Sequence, residues 1–242
     1  MSKLSASEIK HIKALSGKKY RDESRSFIVE GEKMLSEALN SGYELLASYR
    51  MEDIGEAQMS RITSLSSPSP VLGILKMPDT STVPEIKSGA LYLGLDSIRD
   101  PGNLGTILRI CDWFGVDGIF ASEDTVDQFN PKVVQASMGS IFRKTIIYTD
   151  LEALCSRFLD KEMSIYATLL DGKDIYESEL KTSGLILMGN ESRGLSEALK
   201  KLCSDSLLIP SFSKGPHAES LNVAIATALT LSEFKRRNRY EN

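Results

Sequence analysis

Three polar loops in the 242-residue sequence contain the side chains best suited to bind or convert a ligand. The first, D-S-I-R-D-P-G-N-L-G-T-I-L-R at 96–109, holds Asn103 and Arg109. The second, M-G-N-E-S-R-G-L at 188–195, places Glu191 just beyond an apolar run, and the third, E-S-L-N-V-A at 219–224, holds Ser220 and Asn222. Each loop follows a predicted strand, and ligands of parallel α/β sheets collect at the carboxyl ends of strands. The three loops therefore form the predicted site.

The first loop has glycine at 102 and 105 and is expected to turn there before a helix begins. A dinucleotide-binding loop needs G-x-G-x-x-G and a P-loop needs G-K-[ST], and this loop has neither, so a nicotinamide oxidoreductase is only a distant alternative. On the following helix, Arg109 projects opposite an apolar stripe and is either a solvated arginine or a functional one. Trp113 lies on the same side, which suggests that a partner subunit covers this face.

The other two loops each allow a structural and a functional interpretation. Glu191 either ties down its own turn or contacts substrate, and the flanking glycines would let a ligand approach the backbone. Ser196 is expected to cap the next helix, and Ser220 is a natural N-cap for the last one. Small residues on that last helix indicate close packing, against its own core or at a subunit interface; they are Ala224, Ala226 and Ala228.

Composition excludes several other classes of protein. The two histidines, His11 and His217, have no acid or cysteine at ligand spacing, so no metal site is expected, and no G-x-S-x-G elbow indicates a serine hydrolase. The three cysteines are far apart and no apolar stretch is long enough to cross a membrane, so we expect a cytoplasmic protein. The net charge of -4 argues against bulk binding of nucleic acid, although both termini are basic and either face RNA or are simply solvated.

Hydrophobic patterning predicts two α/β domains. Residues 1–76 alternate short helices and strands, 77–89 (M-P-D-T-S-T-V-P-E-I-K-S-G) read as a linker, and 90–242 form the larger domain. In the larger domain the predicted strands are continuously apolar, as in a mainly parallel sheet covered by helices. They are LYLGLD, GIFAS, KTIIY, SIYATLL, GLILMG and SLLIP.

The three loops together resemble the motifs of the SpoU (TrmH-type) RNA ribose 2′-O-methyltransferases of the SPOUT superfamily. The matching pieces are D-x-x-x-D-P-G-N-L-G-x-x-x-R at 96–109, L-M-G-N-E-x-x-G-L at 187–195, and I-P at 209–210 followed by E-S-L-N-V-A. The resemblance covers about residues 90–240. The first domain resembles the family's accessory substrate-binding domain, an L30e-like α/β fold, through FIVEGEKMLSEAL and S-P-V-L-G-I-L.

This resemblance implies a C-terminal trefoil knot, a homodimer with active sites at the subunit interface, and S-adenosylmethionine bound by the knot. The implied cofactor-binding residues are Thr168, Leu169, Met188, Gly189, Leu208, Ile209 and Leu221. The implied catalytic residues are Asn103, Arg109, Glu191, Ser220 and Asn222. Arg109 would act on the 2′-hydroxyl either as the base or by binding the neighbouring phosphate and stabilising the alkoxide, since a guanidinium is normally never deprotonated.

The predicted function is therefore S-adenosylmethionine-dependent methylation of a ribose 2′-hydroxyl in RNA. Ribosomal RNA is the favoured substrate, because the accessory domain carries a basic helix; transfer RNA and a non-catalytic RNA-binding role are the alternatives. One departure from the family pattern is the segment S-F-S-K-G-P-H-A-E after Pro210, about three residues longer than usual. Lys214 and His217 in it either contact RNA or only enlarge the loop.

Overall fold

The computed structural model describes residues 4–79, 82–216 and 218–241, with backbone alone for 238–241. Two compact units divide the chain: Met1–Asp79 with Asp127–Arg143, and Thr80–Val126 with Lys144–Asn242. The elements follow in the order α1 (Ala6–Ala14), α2 (Lys18–Ser24), β1 (Ser26–Glu30), α3 (Glu32–Asn40), β2 (Leu45–Arg50), α4 (Met51–Ile54), α5 (Glu56–Ile62), β3 (Val71–Lys76), β4 (Leu91–Leu95), α6 (Pro101–Trp113), β5 (Gly118–Ala121), α7 (Pro131–Ser137), β6 (Ile146–Tyr148), α8 (Leu151–Leu159), β7 (Ile165–Asp174), β8 (Gly184–Met188), α9 (Glu197–Leu202), β9 (Asp205–Leu208) and α10 (Val223–Glu241).

The first unit is built on a three-stranded antiparallel sheet of order β1-β3-β2. Its N-terminal helix α1 begins with a capping box: the Ser5 hydroxyl accepts from the Glu8 backbone N–H at 3.2 Å, and the Ser5 N–H donates to the Glu8 carboxylate at 2.8 Å. Ile12 and Leu15 are fully buried beneath it, in a core that also contains Met59 and Leu72. The short helices and strands predicted for residues 1–76 are thus present.

Residues 127–143, which contain α7, pack with the first unit although the sequence predicts one larger domain from residue 90. Asp127 is the clearest reason, because its carboxylate pairs with the buried guanidinium of Arg21. Arg21 also donates to the carbonyl oxygens of Leu15 and Ser16, both at 2.8 Å. A buried charge is tolerated when it is paired and hydrogen-bonded, so this arginine of the basic N-terminal region is structural and not free to contact RNA.

The second unit contains a six-stranded, wholly parallel sheet of order β6-β5-β4-β8-β7-β9. All six predicted strands are present, and the mainly parallel α/β fold is confirmed. The central strands β4 and β8 are buried along their whole length, which explains their continuously apolar sequence. The sheet order brings the ends of β4, β8, β7 and β9 side by side.

The predicted linker contains no helix or strand in its described residues, but its second half belongs to the second unit. Ile86 is buried in that unit's core, and the Lys87 backbone N–H donates to the Tyr92 hydroxyl at 2.8 Å. The chain between the predicted domains is therefore held in place before β4 begins.

The basic residues near the C-terminus are bound within the second unit. Glu233, which is buried, accepts hydrogen bonds from Arg236 and Arg237, and these lower its pKa to about 2. Arg237 also donates to the backbone oxygens of Ile175 and Tyr176. Arg237 is therefore largely enclosed by the protein itself, whereas Arg236 remains exposed beside its bonds to Glu233. No helix in the described chain combines the length and apolar character needed to cross a membrane.

Candidate active site

The loop after β4 makes its turn earlier than the glycines suggested. Ser97 has a left-handed backbone conformation with φ +57°, and Asp100 caps α6 by accepting the Asn103 N–H at 2.8 Å. Pro101 follows at the first helical position, which its fixed φ favours. Gly102 and Gly105 therefore lie inside α6, so the predicted turn at 102–105 is wrong. The Asp-Pro pair outweighs the glycines as a helix start signal, and Asn103 becomes a first-turn helical residue.

Glu191 lies in a tight turn that begins directly after β8. Asn190 and Gly194 exchange two backbone hydrogen bonds of 3.0 and 2.8 Å, and the Asn190 side-chain oxygen accepts the N–H groups of Ser192 and Arg193. The Asn190 amide also donates to the carbonyl of Ser97 at 2.8 Å. This turn joins the first and second loops and leaves the Glu191 carboxylate exposed on its tip.

A chain of three polar side chains connects all three loops. The Asn103 amide nitrogen donates to Glu191 Oε1 at 2.7 Å, and the Asn222 amide nitrogen donates to Asn103 Oδ1 at 2.9 Å. The direction of this chain follows from its end, because Asn222 Oδ1 accepts two backbone N–H groups at the start of α10. The Asn222 amide nitrogen therefore faces Asn103, whose own nitrogen faces the carboxylate. Glu191 both belongs to its turn and takes part in this network.

Arg109 lies on α6 with the buried stripe of Leu104, Ile107 and Leu108 on the other side, as the helical pattern predicted. Its side chain is exposed and has no hydrogen-bond or ion-pair partner among the described residues. A guanidinium presents five donors. Arg109 is thus a cation available to an incoming anion or hydroxyl on the helix that carries Asn103.

The structure corrects the predicted cap of α10 and places Ser196 at the predicted N-cap position of α9. Asn222, and not Ser220, supplies the capping oxygen of α10, because α10 begins at Val223. Ser220 is exposed and is free for another role. Ser196 precedes α9 without a side-chain capping bond, while its N–H donates to Asp96 Oδ2 at 2.8 Å. Of the small residues on α10, Ala224 is buried and therefore serves the unit's own core.

The predicted cofactor positions lie along the adjoining strand ends. Met188 ends β8, and the pairings of Ala167 with Leu187 and of Thr168 with Leu207 place Thr168 between the ends of β8 and β9. The Thr168 hydroxyl donates to the Leu187 carbonyl at 3.1 Å. Backbone carbonyls at this edge already have one partner each: the Met188 oxygen accepts from Asp96 and the Leu208 oxygen accepts from Ile175, both at 2.9 Å.

A bulge in β7, which the sequence did not indicate, shapes the same edge. Thr168 and Lys173 both pair with Leu207, so residues 169–172 loop out between them. Gly172 permits this, because a Cβ there would lie 2.6 Å from the Leu207 carbonyl carbon. Leu169 and Ile209 are half-buried beside this edge, whereas Leu221 is 48% exposed. The predicted cofactor residues therefore provide partly buried apolar surface and exposed backbone.

Gly189 is required by the protein's own chain and not only for the approach of a ligand. A Cβ at this position would lie 2.3 Å from Gly194 C and from Leu195 N. Gly189→Ala is therefore expected to displace the Glu191 turn and to lower the free energy of unfolding by about 2 kcal/mol or more. Urea denaturation measures this loss, with Gly215→Ala as the control because that position has open space. Equal stability of the two variants would contradict the close packing of this turn.

Two carboxylates outside the predicted set hold the loops in place. Asp96, at the end of β4, is buried and accepts the Ser196 N–H. Asp124, after β5, accepts the Ser97 hydroxyl at 2.5 Å and the Ser122 hydroxyl at 2.7 Å, and these bonds lower its pKa. Asp124 thereby holds Ser97 in its left-handed conformation. Both aspartates directly follow or lie close after an apolar strand, and this position in the sequence could have identified them.

A cavity of about 380 Å³ lies at the ends of β4, β5 and β6. It is lined by Asp96, Ser122, Glu123, Thr149, Asp150, Leu151, Glu152, Ser196 and Leu199. None of the predicted catalytic or cofactor residues is in this lining. Among the residues that the structure describes, no group of three or more His, Cys, Asp or Glu side chains could hold a metal ion. The candidate site is therefore the edge formed by β8, β7 and β9 together with the Asn222–Asn103–Glu191 chain.

Comparison with known proteins places this geometry in a family. Residues 90–232 match the model of the SpoU rRNA Methylase family, and residues 6–73 match an MRM3-like substrate binding domain. A relative from Bacillus subtilis, named 23S rRNA (guanosine(2553)-2′-O)-methyltransferase RlmP, is 28% identical over 94% of this chain and 96% of its own.

Solved structures agree over nearly the whole chain. One is a TrmH-family structure from Porphyromonas gingivalis, 33% identical, covering 98% of this chain and 100% of that one, with a TM-score of 0.86. Another is an AdoMet-bound rRNA methyltransferase from Sinorhizobium meliloti, 32% identical, covering 98% and 97%, with a TM-score of 0.81. The match of the family model covers more than half of the sequence and includes all three loops that the hydrogen-bonded chain joins. This protein belongs to the SpoU rRNA Methylase family.

Proposed function

We propose that this protein transfers the methyl group of S-adenosylmethionine to a ribose 2′-hydroxyl of ribosomal RNA. The observation that carries the proposal is the Asn222–Asn103–Glu191 chain, which unites the three loops. The helix that carries Asn103 also presents Arg109, an exposed cation without a partner among the described residues. The relative from Bacillus subtilis is named for this reaction on 23S rRNA, and it matches 94% of the chain. Relatives that align over both units favour ribosomal over transfer RNA.

The proposed cofactor edge fits S-adenosylmethionine by its chemistry. The residues proposed to hold it are Thr168, Leu169, Met188, Gly189, Leu208, Ile209 and Leu221. Half-buried apolar side chains suit the adenine ring, and the backbone groups of strand ends suit its polar edge. Each strand-end carbonyl that has one partner keeps a second lone pair for a ligand. When bound, S-adenosylmethionine supplies an electrophilic methyl group.

The chain's own contribution is positioning and charge stabilisation. We assign Asn103, Glu191 and Asn222 to the orientation of the ribose and the loops, since each is fixed by a neighbour on another loop. The exposed Ser220 would contact substrate or a knot loop. Arg109 either takes the proton of the 2′-hydroxyl or binds the adjacent phosphate and stabilises the developing alkoxide. Its guanidinium keeps its charge at physiological pH, which favours the second role.

The finer architecture is also part of the proposal. We assign residues 1–76 to RNA substrate binding, which the match to a substrate binding domain supports, and 90–242 to methyl transfer in the cytoplasm. We further propose that the C-terminal segment forms a trefoil knot. Two contacts with earlier loops support it: Asn222 with Asn103, and Arg237 with the backbone at Ile175.

A homodimer would cover an apolar face that α6 and α10 leave exposed. Trp113 is 86% exposed, and Ile225 and Leu229, one turn apart on α10, are also exposed. Because α6 and α10 pack against each other, these side chains belong to neighbouring helices. Exposed apolar surface of this kind is typical of an interface.

Ile225→Glu is expected to convert such a dimer into monomers, because the dimer would have to bury a charge. The monomer should keep its stability, since an acidic residue is favourable in the first turn of α10. Sedimentation equilibrium measures the mass, and Leu159→Glu, at an exposed leucine of α8, is the control. A monomeric wild-type protein at micromolar concentration would rule out the dimer.

The function itself is tested with purified protein, labelled S-adenosylmethionine and unmethylated transcripts of ribosomal and transfer RNA. The label should enter ribosomal RNA at one nucleotide. The phosphodiester bond that follows this nucleotide should then resist alkaline cleavage, because a methylated 2′-oxygen cannot attack it. Calorimetry should show S-adenosylmethionine binding and no NADH binding. Binding of NADH in place of S-adenosylmethionine would refute the proposal, and label in transfer RNA alone would correct its substrate.

A further inference from the structure

The connection from β9 to α10 joins the two sides of the candidate site. It leaves β9 at Leu208, on the proposed cofactor edge, and reaches Asn222, which donates to Asn103 in the catalytic chain. This connection therefore begins at the strand end proposed to bind the methyl donor and ends at the polar chain proposed to orient the ribose. Any side chain that projects from this connection is well placed to contact the nucleotide being methylated.

From Ser211 onward, the described part of this connection is exposed, and the hydrogen bonds found for it lie within the loop. Ser211–Pro216 and 218–221 are all exposed, and the hydrogen bonds found for them join Ser211, Ser213 and Gly215 to one another. His217, one of the two residues predicted to contact RNA here, lies outside the described residues. The extra length noted in the sequence thus produces an exposed loop and not additional core.

Phe212 is the unusual residue of this loop. Its side chain is 83% exposed, although phenylalanine is among the residue types most often buried. It follows the last residue of β9 by four positions, so its Cα lies within about 14 Å of the strand end. Lys214, two residues further on, is exposed as well, and Glu219 is the acidic residue near the far end of the loop.

We propose that Phe212 stacks on an unpaired nucleobase of the RNA, at or next to the nucleotide whose ribose is methylated. Proteins that recognise RNA by sequence act on splayed bases and stack them on aromatic rings. A nucleotide in an unpaired loop or bulge offers its 2′-hydroxyl together with a free base on which such a ring can stack. The inference rests on the proposed function and adds a specificity-determining residue to it. Lys214 would contact the adjoining phosphate.

Three substitutions separate stacking from simple apolar contact. Phe212→Ala and Phe212→Leu are expected to lower kcat/KM for an unmodified 23S rRNA transcript by about 5- to 150-fold, the usual effect of losing one base–aromatic stack. Phe212→Trp should keep the wild-type value, because it preserves a π face. Leu159→Ala, at an exposed leucine on α8, is the control for loss of apolar surface.

Two further measurements exclude other roles for this ring. The affinity for S-adenosylmethionine and the sedimentation mass should be unchanged in all variants, and a loss of either would overturn the assignment to RNA. Wild-type activity of Phe212→Ala or Phe212→Leu would also overturn it. A wild-type protein that methylates no RNA would instead refute the proposed function, so the two failures are distinguishable.

Discussion

Replacing Arg109 by alanine is expected to reduce methyl transfer by about 10³-fold or more while leaving the folded protein intact. Removal of one group that stabilises developing charge typically costs a factor of 10² to 10³, and Arg109 would also position the phosphate. Its exposed side chain has no partner in the described chain, so the melting temperature should hardly change. The affinity for S-adenosylmethionine should also be kept, because Arg109 lies on α6 and not on the proposed cofactor edge.

Single-turnover methylation, calorimetry and thermal melting together measure these three quantities. Arg157→Ala is the matched control, since it removes an arginine from α8, which contributes no predicted site residue. Arg109→Lys separates the two proposed roles. A lysine with a pKa near 10 could act as a base whose activity rises with pH, whereas a phosphate contact would give a small, pH-independent remnant. Full activity of Arg109→Ala would remove this residue from the mechanism.

Asn103→Asp is expected to lower the rate by about 10- to 100-fold at pH 8 with little change in side-chain volume. The substitution replaces the amide that donates to Glu191 Oε1 at 2.7 Å by a second carboxylate. Loss of a hydrogen bond to a charged group costs about 1.5–3 kcal/mol, and the facing carboxylates also repel each other. Asn130→Asp is the control, because that residue caps α7 through its side-chain oxygen, which aspartate retains.

The pH profile of Asn103→Asp identifies the cause. Two carboxylates in contact share a proton, so the pKa of one of them is raised. As the pH falls, the protonated acid regains a donor, and the activity of the variant relative to wild type should recover. A ratio that stays constant with pH would show that Asn103 acts only through local structure and not through its bond to Glu191.

Much of the second unit could be predicted because its signals are local. Six apolar runs are typical of buried parallel strands, and the stripe containing Leu104 and Leu108 correctly indicated which side of α6 leaves Arg109 exposed. The error at 102–105 was also local. Glycine is typical of turns, but Asp100 and Pro101 already start the helix before Gly102. A helix cap rests on one or two hydrogen bonds, so the sequence alone could not decide whether Ser220 or Asn222 caps α10.

The hydrogen bonds that connect the three loops of the candidate site could be found only from the tertiary structure. Asn103 is 88 positions from Glu191 and 119 from Asn222, and only the order of strands in the sheet brings them within hydrogen-bond distance. The β7 bulge and the contact of Arg237 with the backbone of Ile175 likewise depend on neighbours distant in sequence. Periodicity and residue type act over a few positions, so they were enough to predict the helices, the strands and the motif residues. Whether the motif residues of the three loops come into contact depends on which strands pair, and strand pairing is a property of the whole folded unit.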